Sequence, residues 1–242
     1  MSRLVRGELI KMRTTRTALG FGIASVLLVV AFVLLTTLAG DPDTLNDKRD
    51  ALNVGGALSI PLLIFGIVGA TGEFRHRTLA PAVLIAPDRV RLGLARLAAY
   101  VFTALAVGVI MLAAGLAIGV PILAGQPGPE LGGQEYLQMI GGGLLAVGLV
   151  AALGTGIGVL VRNQVAAVVG VLVWIFIVEP LIPLASEDVA RYGILNSAGS
   201  VGIGGGVADD AVPFAASLAA LVGWALVFVT LGLLVDRRRD VE

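Results

Sequence analysis

Residues 19–39 read LGFGIASVLLVVAFVLLTTLA, an apolar run without a single charged side chain. A helix rises 1.5 Å per residue and needs about 20 such residues to cross the roughly 30 Å hydrocarbon core of a bilayer, so this run is long enough to span. Five more runs share its character, with small residues interleaved: 51–71, 97–124, 139–161, 165–184 and 212–235. Only 14% of the chain is charged and its mean hydropathy is +0.96, whereas an ordinary soluble domain is about one-quarter charged. A transmembrane β-barrel would show segments of about ten residues alternating apolar and polar; these runs are unbroken. The reading is an all-α, polytopic membrane protein with six transmembrane helices, one domain over residues 1–242.

The charges between the runs carry the orientation. Arg3, Arg6, Lys11, Arg13 and Arg16 precede the first run, and Arg75, Arg77, Arg89, Arg91 and Arg96 fill the second gap. Arg162 stands in the fourth gap, and Arg237, Arg238 and Arg239 form a tail over 236–242. Fourteen of the 17 Lys and Arg residues thus occupy alternate gaps. The other gaps hold only Lys48, Arg49 and Arg191, together with Asp41, Asp43, Asp47, Asp50, Glu130, Glu135, Glu187, Asp188, Asp209 and Asp210. The positive-inside rule then places both termini in the cytoplasm. The zero net charge conceals this asymmetry. The polar leader and first run are both too long for a usual signal peptide, and an even number of spans needs that run retained. No cysteine is present, so thiol chemistry has no place here.

Residues 1–18 place Val5, Leu9 and Met12 at i, i+4 and i+7, flanked by Arg6, Glu8, Lys11 and Arg13. Such a pattern fits an amphipathic helix lying in the headgroups, with a loose, topology-setting tail as the alternative. Anionic lipid already accounts for the basic charge, so nucleic-acid binding is not implied. In the loop 72–96, Glu73 stands beside Arg75, His76 and Arg77, and Thr78 to Ala86 is a short apolar segment bounded by Pro87. A loop built only for orientation needs neither the acid nor this alternation. It can dock on another protein, with an ordinary charged loop as the other reading.

At these residues the chain resembles the permease subunits of type-2 ATP-binding-cassette (ABC) transporters, a six-span exporter family. The likeness rests on Glu8-Leu9-Ile10-Lys11-Met12-Arg13-Thr14, on Gly72-Glu73-Phe74-Arg75-His76-Arg77-Thr78, on Pro87-Asp88-Arg89, and on a basic residue opening the third span, here Arg96 where the family often has Lys. The resemblance implies that the loop forms a coupling helix seated in a separate cytoplasmic ABC ATPase. Glu73 and the basic residues after it, Arg75, His76 and Arg77, would stiffen the junction, with Thr78 closing the coupling motif, and residues 79–91, with Pro87 and Arg89, would make the contact. It also implies a second permease subunit, identical or related, an inner-membrane location, and ATP bound by the partner.

Glu179 is the one acid well inside a run, followed by Pro180 and Pro183. An intramembrane carboxylate is by default a functional candidate. Near the outer end of its span, two roles are open to it: capping the helices that follow, or contacting substrate or a proton. Residues 185–211 are too long for a turn and too apolar for a solvated loop. A pair of short re-entrant helices fits, as the family resemblance also implies, with a flexible loop as the alternative.

Gly154, Gly156 and Gly158 lie inside a span without dinucleotide spacing, so close helix packing is the better use, as for Gly115 and Gly119. No Gly-x-x-x-x-Gly-Lys-Ser/Thr sequence occurs. The single histidine, His76, lies outside the apolar runs, which leaves no Ser–His pair within the membrane. The expectation is therefore a permease without catalytic residues, metal or cofactor of its own, moving an amphipathic or lipid-like substrate. The alternative is an ATP-independent secondary transporter or channel, which would be expected to show more midplane charge or interrupted helices.

Overall fold

The computed structural model describes residues 2–40, 42–75, 89–205 and 212–238. Every regular element among them is helical. In chain order these are α1 (Ser2–Thr14), α2 (Arg16–Leu38), α3 (Leu45–Ala51), a 3-10 turn (Gly56–Ser59), α4 (Ile60–Arg75) and α5 (Arg89–Leu123). They continue with α6 (Gly133–Val161), α7 (Gln164–Leu184), the short helix α8 (Glu187–Ala190), α9 (Ile194–Gly202) and α10 (Phe214–Arg238).

Five helices, α2, α5, α6, α7 and α10, are long and apolar enough to cross a membrane, so the chain is a multi-pass membrane protein by length and composition. The second apolar run departs from its expected form. In place of one helix over 51–71, α3 ends at Ala51, the backbone bends through Asn53–Gly56, and α4 begins only at Ile60. Its apolar part, Ile60–Gly72, is shorter than the other five, about 20 Å at 1.5 Å per residue. The cause is local. Asn53 folds its side-chain oxygen back to accept from the Gly55 N–H at 2.8 Å, and Gly56 takes φ +52°, a left-handed value that ends a regular helix. Hydropathy runs straight through this bend because the single polar residue, Asn53, is set among small and apolar neighbours.

Helix α6 is the axis of the bundle. Its apolar window is 61% buried, against 17–28% for the other four, and it packs on α4, α10, α5 and α9. The glycines on α6 explain how closely its neighbours approach. A Cβ on Gly154 would stand 2.1 Å from the Leu63 carbonyl oxygen, and one on Gly158 would stand 2.8 Å from the Ile67 carbonyl oxygen, both on α4. Gly156, on the opposite side, would meet the α10 backbone at Val229 N, 2.6 Å away. Alternate glycines therefore serve two neighbours, the small-residue packing that membrane helices use where no hydrophobic force draws them together. Gly119 does the same for α2, with Val33 2.9 Å from its would-be Cβ.

Other joints follow from capping. Thr44 and Asp47 form a reciprocal capping box that starts α3. A two-residue turn links α6 to α7. Arg162 takes φ +59° there, the one non-glycine residue among those described with a positive φ, and the Asn163 side chain accepts from the Ala166 N–H at 3.1 Å. Within α7, α-helical geometry gives way to a π turn over Trp174–Val178 just before Pro180, and to a 3-10 turn over Ile182–Leu184 beside Pro183. Pro180 thus alters the hydrogen-bond ladder without ending the helix.

Candidate functional site

The loop proposed for coupling is framed by two helix ends. Glu73 and Arg75 belong to the last turn of α4 and Arg89 opens α5, while His76, Arg77, Thr78 and Pro87 lie outside the described residues. Arg96, one turn further into α5 from Leu92, is buried at 2% exposure. At the end of α6, the Arg162 Nη2 lies 2.8 Å from Asp236 Oδ1 on α10, with both side chains largely covered. This ion pair ties the α6–α7 turn to the last helix. On α1, Arg6 and Lys11 are exposed, Glu8 stands 3.9 Å from Lys11, and Arg13 sits in the last turn. Met12 is buried against α5, where the Thr103 hydroxyl reaches its sulfur at 3.2 Å.

The fullest polar constellation surrounds α9. Glu179 is 5% exposed, and its Oε1 accepts from the Leu195 N–H at 2.8 Å and the Asn196 N–H at 3.5 Å. Those are orphan donors of the first turn of α9, so the acid of α7 caps another helix across the fold. Gly193 permits the approach, because a Cβ there would stand 2.2 Å from Oε1. Glu179 Oε2 is buried and has no hydrogen-bond partner among the described residues.

Further along, the Asn53 amide donates to the Gly199 carbonyl at 3.1 Å, and the Arg49 Nη1 donates to the Gly205 carbonyl at 3.2 Å. Ser217 on α10 donates to the Ser200 hydroxyl at 2.9 Å, and the Trp224 indole N–H donates to the Tyr192 carbonyl at 3.0 Å. Helix α9 is therefore held at its start, its middle and just past its end, by α7, by the α3–α4 bend and by α10.

A cavity of ≈ 770 Å³ lies against this clamp, lined by Asp50, Asn53, Glu187, Arg191, Asn196 and Ser200 among others. Burial pushes the Asp50 carboxyl above its ordinary range, and nearby Asp47 adds to the effect. A smaller cavity of ≈ 220 Å³ lies between α4, α6, α7 and α10, where the Trp174 and Trp224 rings meet edge to face at 6.0 Å. Among the described residues, no group of three or more His, Asp or Glu side chains is placed to hold a metal ion.

Sequence reasoning singled out Glu179 but missed Arg49, Asn53, Gln138 and Asp236. One signal was present. Lys48 and Arg49 break the charge sorting, and both prove to be interior residues, 2% and 3% exposed, instead of surface charges. No family model matches the chain, and no curated protein matches it in sequence.

Proposed function

We propose that this chain is the membrane-spanning permease subunit of an ABC exporter, with ATP bound and hydrolysed by a separate cytoplasmic subunit. In this reading α4 is the sixth span, shortened by the bend at Asn53–Gly56, and both termini face the cytoplasm of the cell's inner membrane. The α9 region is the outer re-entrant segment, and residues 72–96 carry the coupling contact to the ATPase. A second permease, identical or related, completes the pore.

The observation that carries the reading is the charge sorting together with the Gly72–Thr78 motif at the cytoplasmic end of α4. Burial of Lys48 and Arg49 supports it, since two of the three exceptions to the sorting have a structural use. The apolar outward face of α7, with Phe176 63% exposed, suits lipid or a second permease, and that of α2, with Leu27 63% exposed, suits lipid. A cargo that is amphipathic or lipid-like fits walls with so little charge.

Reconstitution tests it. The chain alone in vesicles should neither hydrolyse ATP nor move solute, and transport should appear on adding ATP with the ATPase that copurifies in mild detergent. Flux driven by an imposed proton gradient through the chain alone would replace this reading with the secondary-transporter one.

A further inference from the structure

A groove of ≈ 590 Å³ runs between α1, α2 and α5, within the size range of small-molecule sites, about 300–1,000 Å³. Leu9 and Met12 close one end, and Ile23, Leu27, Val107 and Ile110 line the other. Its one hydroxyl, that of Thr103, is already turned to the Ala99 carbonyl at 2.9 Å and to the Met12 sulfur. The lining on α2 extends from Ala18 to Leu27, about 14 Å along the helix. That is close to half the roughly 30 Å hydrocarbon thickness, the depth of one leaflet. Lys11 and Arg16, which flank this lining in sequence, are exposed, and Lys11 has the Glu8 carboxylate 3.9 Å away. The segment 2–16 carries five cations against the single acid Glu8.

We propose that this groove holds one acyl chain of an anionic phospholipid from the leaflet on the side of the N-terminus, with its phosphate at Lys11 and Arg16. An acyl chain moving from bilayer to groove only exchanges one apolar contact for another, so the walls alone select nothing. Selection comes from the headgroup, where each cation near the surface is worth about fivefold in affinity for an anionic lipid. A second copy of the chain is the poorer occupant, because it would bring its own five-cation segment against this one. The inference rests on the membrane-spanning part of the proposed function and not on the ATPase or on transport.

Native mass spectrometry of the purified chain, with phosphatidylglycerol or phosphatidylcholine of identical acyl chains added, reads this directly. The wild type should retain one phosphatidylglycerol at least tenfold more readily than phosphatidylcholine, and Lys11→Gln and Arg16→Gln should each cut that preference about fivefold. Gly22→Leu should abolish retention of either lipid. A Cβ there meets only Val107, at an ordinary 3.5 Å, so the added side chain enters the groove without breaking a contact. Ala106→Leu on the facing helix repeats the test, and circular dichroism with monodisperse elution confirms folding. Equal retention of the two lipids by the wild type, undiminished retention by both filled variants, or a dimer mass in place of the lipid adduct would each overturn the proposal. Lipid retention by a chain that binds no ATPase would leave this site standing and remove the exporter reading.

Discussion

Arg49 on α3 reaches Gln138 on α6, its Nη2 donating to Oε1 at 2.5 Å while Nη1 donates to the Gly205 carbonyl. A cation that counts against the charge sorting is thus a bolt between three segments of the fold. Arg49→Met keeps much of the apolar stem and removes both donors, leaving the buried Gly205 carbonyl unpaired. The expected loss is about 1–3 kcal/mol of stability in a detergent melt. Orientation should not change: reporters fused after Asp47 and Gly133 should still read the outer side, and one after Arg162 the cytoplasm. A reporter that switches sides would show that Arg49 acts as a topological charge.

Glu179 offers a cleaner separation of roles. If its work is to cap α9, Glu179→Gln retains an acceptor oxygen for the Leu195 N–H and should melt close to wild type. Glu179→Ala should lose about 1–2 kcal/mol, the usual worth of a cap. If the chain transports as proposed, the Gln variant should do so too. A folded, partner-bound but transport-dead Glu179→Gln would move the residue from cap to substrate or proton contact.

How much of this was legible depends on what kind of partner each residue has. Long apolar runs fixed α2, α7 and α10 to within a few residues, because hydrocarbon tolerates only one backbone solution in an uninterrupted apolar stretch. The run 51–71 misled for the opposite reason: Asn53 and Gly55–Gly56 are turn signals set inside an apolar composition, and hydropathy does not register them. Glu179 stood out as a lone acid, yet its partners are backbone N–H groups 16 and 17 positions on, which no side-chain pattern announces. Arg49 and Gln138 are 89 residues apart, and nothing local pairs them. Most of the loop proposed for coupling lies outside the described residues, so that part of the site still stands on its sequence.

Arg162 and Asp236 lend themselves to a double-mutant cycle. Their pair is mostly covered, at 19% and 13% side-chain exposure, so a coupling of about 1 kcal/mol is expected, near the top of the range for exposed pairs. The backbone supplies an internal control. Arg162 holds a left-handed conformation that costs a non-glycine residue about 1–2 kcal/mol. Arg162→Gly and Arg162→Ala both lose the ion pair, but Gly relieves that strain, so it should be the more stable variant by about 1 kcal/mol. Equal melting of the two would show that the turn relaxes when the side chain goes.

At the end of α4, Glu73→Ala, or Glu in place of both Arg75 and Arg77, should leave membrane insertion near wild type. If this end of α4 leads into an ATPase contact as proposed, either change should weaken association with that ATPase or uncouple hydrolysis from transport. Pull-down of the ATPase and the ratio of ATP hydrolysed to solute moved are the measurements. Wild-type values for both variants would return the segment joining α4 to α5 to the role of an ordinary charged connection.

The glycines of α6 yield the sharpest contrast, because two chemically identical substitutions should diverge. In a helix interior Gly→Ala is favourable by about 0.5–1 kcal/mol where space allows, since Ala loses less backbone freedom on folding. Gly141 has nothing within 4 Å of its would-be Cβ, so Gly141→Ala should leave the melting temperature unchanged or raise it. Gly154→Ala would place a methyl 2.1 Å from the Leu63 carbonyl oxygen, and a backbone atom cannot rotate aside as a side chain can. Helices α4 and α6 would have to part, at a cost of at least the 1–3 kcal/mol typical of overpacking. Separating them would also disturb the α4 end from which the proposed coupling loop departs, so on the proposed reading ATPase association should fall along with stability. If Gly154→Ala melted with Gly141→Ala, the close approach of these two helices would be wrong, and with it the placement of α4 in the bundle.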